Sequence, residues 1–448
     1  MADLAEKPIT TGMEPFITAA EALEQAEAGS VMPWLTAQRN AGLAQFAEAG
    51  FPGPKNEDWK YTSTKRLASF PVKLAGSPSE AGDVTEEDLA PYRLRDEAAA
   101  ELVFVDGHYR ADLSFRGKKA CCTKITNLAE GIRATNQITL ESYLGRHADE
   151  EIYPLAGLNT ALFQDGAVIN VGRSCVIHAP IHILHISTGD FLISPRVLVV
   201  AEPHSSAPIV ETFASKGDGH CAFYNSVTEA VVQEGANLKH VHLNLQNQQS
   251  YHVGLFHSEI ERDARTAHHS FAFGGALTRR DTWINLNEEG TECLLNGLYM
   301  PGHKQHIDHQ TVVNHRKPHC ESHEFFHGIL NHKGRGVFNG KIFVQEGAIK
   351  TDAKQSNRAM LISPDAKVDT KPQLEIWNDD VKCTHGATIG AIDEVAAFYL
   401  RSRGIPEFKA REMLVRAFAE EIVLNVNNDS VREHIDDLLS KHLASWEE

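Results

Sequence analysis

From about Glu101 to Ile392 the chain is a succession of short strand-like runs with no long amphipathic helix between them, and few folds can absorb that. The runs include "ELVFVDG", "GAVINVG", "IHILHIS", "RVLVVAE", "EAVVQEGANLKHVHLNL" and "GVFNGKIFVQEG". Many alternate apolar and polar residues, the period of a strand with one buried face. Turn-like groups punctuate them: Glu234-Gly235, Glu289-Gly290, Glu346-Gly347 and Pro364-Asp365-Ala366. The lack of intervening helices argues against βαβ architecture. Roughly 300 residues of strand also exceed most single sandwiches, which leaves paired barrels, a propeller or a stacked solenoid. With no propeller signature and no strict repeat length, irregular turns of similar strands favour a parallel β-helix.

Helical sequence brackets this core. Before about residue 95, "VMPWLTAQRNAGLAQFAEAG" sets Trp34, Leu35, Leu43 and Phe46 at helical spacing, and Gly50 with the following "FPGPKNEDWKYT" ends the helix. The small, acidic "AGSPSEAGDVTEEDLAP" reads as an exposed linker. After Asp393, "DEVAAFYLRSRG" carries Val395, Ala396, Phe398, Tyr399 and Leu400 as an apolar face and stops at Gly404. Pro406 suits the first turn of the next helix. Ser430 and Glu433 read as an S-x-x-E capping box opening the last one. The expected division is a helical region with linker over 1–95, a β-helix core over 96–392 and a helical region over 393–448. A solenoid has open ends, and terminal helices are a natural cover for them.

A formal charge of -17 argues against nonspecific binding to nucleic acid or an anionic membrane. No run approaches the roughly 20 apolar residues that span a bilayer. The first residues, "MADLAEKPITTGMEP", show no basic-then-apolar signal. The 7 cysteines form no CxxC, so neither a disulfide framework nor a zinc ribbon is expected, and a reducing cytoplasm fits. There is no phosphate-loop, dinucleotide or GxSxG motif. If ATP matters to this protein, a partner hydrolyses it.

The 24 histidines are the remaining chemical signal. The densest stretch runs from His303 to His332 and contains His306-Ile307-Asp308-His309. Imidazole and carboxylate there would suit Zn or Mn in a hydrolase. On a strand, though, His306 and Asp308 share one face and His309 takes the other, so the cluster divides. Hydrogen-bonded histidines along a solenoid surface are the plainer reading. His240 and His242 resemble the HxH of a cupin, but no glutamate follows at the required place. A metal-dependent cupin-like or hydrolase enzyme using the His303–His332 region is therefore the alternative function. A secreted polysaccharide-acting β-helix protein is a third, disfavoured by the absent signal sequence.

"VKCTHGATIG" puts Cys383 and His385 two positions apart, hence on one side of a strand, with Cβ atoms roughly 7 Å apart. Two ligands do not close a metal site, and no third group orients the imidazole for nucleophilic work. By itself the segment reads as a solvent-facing strand end. A half-site completed by another chain is the sharper alternative.

"NEDWKYT" (56–62), "HIDHQTVVNH" (306–315), "RGVFNGKIFVQEGAIKTDAKQSNRAMLIS" (335–363), "VKCTHGATIG" and "FYLRSRGI" (398–405) occur here in one order. In these the chain resembles the SufB/SufD family of iron–sulfur cluster assembly proteins, more closely its SufD-like branch, since Gly386 stands where SufB-like chains typically carry glutamate. The resemblance implies a right-handed parallel β-helix flanked by helices. It implies a non-catalytic scaffold subunit that pairs with a SufB-like subunit through the end of its β-helix and binds a SufC-like ATPase through its C-terminal helices. Cys383 and His385 then lie at the SufB-facing interface, with His385 in the position implicated in cluster assembly. Phe398, Tyr399, Arg401 and Arg403 fall on the expected ATPase-docking helix, the arginines being the better candidates for partner contact. No tightly bound cofactor is expected in the isolated chain. Iron or a nascent Fe–S cluster is expected transiently at the interface, and reduced flavin belongs with the complete assembly, although no flavin fingerprint is present. Self-pairing as a homodimer is an expected alternative when the partner is absent.

Overall fold

A computed structural model describes residues 12–27, 32–94, 97–120, 122–134, 138–146 and 153–446. Two long sheets run side by side, and the chain passes from one to the other at each step. The first sheet orders its last eight strands from Ile181–Ser187 through Asn237–Leu245 and Glu321–Leu330 to Lys382–Ala391; the second ends at Arg335–Val344 and Lys367–Ile376. Every pairing between these successive rungs is parallel and in register. The architecture is a β-solenoid of about 8 turns. Register explains why no repeat was legible. One inward line of side chains reads His240, His268, Leu295, Glu324, Gln355 and His385, advancing by an unequal number of residues at each step. The turns that absorb the difference use left-handed backbone. Gly235 and Gly290, read above as turn residues, stand at φ of 63° and 74°, which glycine adopts without a Cβ penalty.

The helices are α1 (Glu14–Ala26), α2 (Pro33–Ala49), α3 (Lys65–Ala68), α4 (Glu86–Leu89), α5 (Leu128–Arg133), α6 (Ile138–Tyr143), α7 (Pro154–Leu162), α8 (Glu394–Ser402), α9 (Glu407–Val423) and α10 (Asp429–Ala444). They do not cap the ends as expected. Phe16, Phe46 and Phe51 of the N-terminal unit pack with Phe223, Val253 and Leu277 on the outer face of the second sheet. Phe418, Ile422, Ile435 and Leu439 from α9 and α10 cover Val241, Phe271, Leu298 and Ile329 on the outer face of the first. The physical reason is area: these outward apolar ladders offer more surface to bury than the rim of a single rung.

Two local expectations change. α10 is capped by Asn428, whose side chain accepts from Val431 N–H, so Ser430 sits inside the helix and the Ser430–Glu433 box does not form. Pro406 precedes α9 as its N-cap rather than opening its first turn. A third difference is a Cys122–Cys175 disulfide with Cα atoms 5.9 Å apart, joining residues 53 positions apart that no CxxC spacing could reveal.

A candidate interface site at the open end of the solenoid

The last strand of each sheet has a neighbour on one side only. On the final strand, Lys382–Ala391, every position but Cys383 is exposed. Cys383 pairs with Ala353 and His385 with Gln355, so both continue lines that run inward through the solenoid. The strand end is thus solvent-facing because the interior itself opens there. Cys383 is half-buried against the apolar core. Burial, chiefly, and the nearby Asp352 charge push its thiol up, against a hydrogen bond from the Ala353 backbone. His385 is exposed.

Behind these two lies a polar axis. Next inward is buried Gln355, then fully buried Glu324, whose carboxylate accepts a 2.6 Å bond from Thr311 Oγ1. Burial raises Glu324 to about 7, with the Thr311 hydrogen bond opposing. Deeper still, His240 and His268 stack with ring centres 5.0 Å apart and Nδ1 atoms at 2.9 Å. Burial keeps both imidazoles neutral by lowering their pKa. Thus His240 and His242, set aside above as a cupin motif, are interior residues. Among the described residues, no three His, Cys, Asp or Glu side chains group as a metal would require. Cys383 and His385 remain two donors on an open rim.

The His306–His309 segment divides as its spacing predicts, though not all of its histidines lie on a surface. His309 is interior, its Nε2 3.0 Å from Ser270 Oγ, and His315 is interior against Ser322. His306 and Asp308 face outward and hold the N-terminal region. His306 Nε2 lies 2.8 Å from Thr62 Oγ1, and Thr62 also donates to Asp308. Arg279 is the hub: it donates to both Asp281 oxygens at 2.9 and 2.7 Å, to Asp308 at 2.9 Å and to the Asp58 carbonyl at 2.7 Å. Its guanidinium lies 3.7 Å from the Trp59 ring centre. The "EDWKYT" motif is therefore riveted to the solenoid flank. Sequence reading missed Arg279, since nothing in "LTRRD" distinguishes outward Arg279 from inward Arg280.

α8 follows directly from the open rung and is capped by Asp393, which accepts from Val395 and Ala396 N–H. It buries only Ala397. Val395, Phe398 and Tyr399 are 78%, 67% and 57% exposed, with Phe408 of α9 at 66% beside them in sequence order. Arg403 donates to Tyr399 Oη at 3.1 Å and lies over its ring, and Arg401 faces Glu407 at 3.6 Å. The helix shows an exposed apolar surface, and Arg401 and Arg403 at its C-terminal end are exposed beside it.

Two family models match the chain: "SUF system FeS cluster assembly, SufBD core domain" over residues 184–418 and "SufBD protein N-terminal region" over 16–183. The chain is 33% identical to the iron–sulfur cluster assembly protein SufD of Escherichia coli over 89% of its length and 90% of that protein. It is 28% identical to a SufBD family protein of Synechocystis, over 89% of each. To SufD of Bacillus subtilis it is 23% identical, over 91% of this chain and 94% of the relative.

Proposed function

The chain belongs to the SufBD family of iron–sulfur cluster assembly proteins, and from that premise we propose that it is a non-catalytic scaffold subunit acting in the cytoplasm. In this reading its open rung pairs with a SufB-like subunit, and a SufC-like ATPase docks on α8 and supplies the hydrolysis. The observation that carries the reading is the final strand's edge. It is 10 residues long and, after Lys382, has no charge and no proline. An uncharged, uncovered edge of that length invites another strand. The neighbouring edge, Lys367–Ile376, differs: Pro372, Lys371 and Glu375 blunt it in the usual protective way. Selective protection of one edge supports strand addition at the other.

A strand added there would set partner side chains beside Cys383 and His385, completing a donor set that this chain holds only in part. The nascent cluster or its iron is then cargo passing through the interface. Cys383 contributes sulfur and His385 a nitrogen ligand or proton carrier, while any reduced flavin serves the assembled complex. Without a SufB-like chain, the same edge can pair with a second copy. The test is co-expression with SufB-like and SufC-like partners, followed by size analysis with and without ATP. A ternary complex whose size or shape responds to ATP is expected. Failure to associate with either partner sinks the proposal.

A further inference from the structure

A separate concavity of roughly 600 Å³ opens between the "EDWKYT" segment and two successive solenoid turns. Its charged lining is entirely cationic: Lys60, Lys65, Arg66, Lys304, Lys333 and Arg335. This is a chain in which 60 acidic side chains outnumber 43 basic ones, so the local balance is inverted. Arg335 is engaged with Asp369 at 2.8 Å, and the Lys60 ammonium lies 5.4 Å from the Tyr61 ring centre. Among the described residues, Lys65, Arg66, Lys304 and Lys333 have no carboxylate partner.

Two of these lysines are placed by a repeated device. His303-Lys304 and His332-Lys333 occupy equivalent turns of consecutive rungs, and both histidines are left-handed, at φ of 43° and 51°. Lys333 N–H donates to the His303 carbonyl at 2.8 Å, and the two imidazoles stack at 4.7 Å. Left-handed backbone is unfavourable for a non-glycine residue. Stacking like charges on adjacent rungs, about 4.8 Å apart by strand spacing, is also unfavourable. A multivalent anion between them reverses the second term, and the lysine and arginine heads suit phosphoryl oxygens.

We infer that this groove binds a small molecule bearing two or more phosphoryl groups, held by Lys304 and Lys333 on one wall and Lys65 and Arg66 on the other. Its volume falls in the range of small-molecule sites, about 300–1,000 Å³, which favours such a ligand over an acidic protein. The inference stands apart from the scaffold reading and gives the "EDWKYT" segment a ligand-facing side beside its structural one.

The test is calorimetric titration of the full chain with pyrophosphate, with sulfate at matched ionic strength as comparator. One saturable pyrophosphate site is expected. The Lys304→Ala/Lys333→Ala pair should weaken it at least about tenfold through two lost charge-assisted contacts, and the arginine pair should retain it. Both lysines are exposed, so an unchanged thermal midpoint is the folding control. Lys65→Glu repeats the test from the opposite wall. No saturable binding overturns the inference, as does equal binding of sulfate, or affinity unchanged in the alanine pair and in Lys65→Glu. Capture of polyglutamate but not pyrophosphate would also overturn it, reassigning the groove to an acidic protein.

Discussion

Arg279 shows what one buried side chain can carry. It is 1% exposed, balances two aspartates and holds Trp59 and the Asp58 carbonyl. Removing one partner of a buried ionic network leaves uncompensated charge, which costs about 3–5 kcal/mol. Arg279→Ala is therefore expected to lower the unfolding free energy, read from the urea transition, by that amount and to shift the Trp59 fluorescence. Arg279→Lys should not rescue it, because a lysine cannot reproduce the two-pronged contact with Asp281. His385 is the opposite case. It is exposed, so His385→Ala should leave the unfolding free energy within about 0.5 kcal/mol of the parent while depressing cluster maturation in cells; undiminished maturation would count against its role. The spacing of His306, Asp308 and His309 told which faces they take. It could not tell that the outward pair meets Thr62, because that partner is 244 residues away in sequence.

At the scale of the element, the final strand and α8 are adjacent in sequence but predicted to serve different partners, and substitutions should separate them. Ile389 is 50% exposed on the open rung. Ile389→Lys adds the edge charge that natural sheets use against pairing, so it should abolish association with a SufB-like chain while sparing ATPase binding. Phe398→Glu should do the reverse, since it spoils only the apolar surface of α8. Both are read by co-purification, and a variant that lost both partners equally would show that the two surfaces are not independent. Both elements were legible from alternation and from the Asp393–Gly404 stretch. The cap of α10 was misread because Asn428 and Ser430 are both good cap residues, and the chain's path before the helix decides between them.

For the whole molecule, the histidine-rich interior sets a pH limit. Burial pushes His185, His269, His306 and His309 to about 4, and His252 and His315 to about 3. Unfolded, these imidazoles take protons near pH 6.5. Between pH 6.5 and about 4 the unfolded chain therefore binds more protons than the folded one, and stability falls as pH falls. Glu324 works in the other sense: folded, it keeps its proton up to about 7, so it opposes stability increasingly as pH rises from the ordinary carboxyl range. Several imidazoles outweigh one carboxyl. Denaturant unfolding should show a loss on the order of several kcal/mol between pH 7.5 and 5, and a flat profile would contradict the buried-neutral assignment. The sequence by itself determined the solenoid class, the helical flanks and the same-side placement of Cys383 and His385, because alternation and helical spacing are local and depend only on backbone period. Tertiary structure alone decided that the helices lie on the faces, that one rung stays uncovered among the described residues, and that lysines from two turns and the "EDWKYT" segment line one groove. Those outcomes depend on register between rungs and on which buried area is largest, and both arise only when distant segments meet.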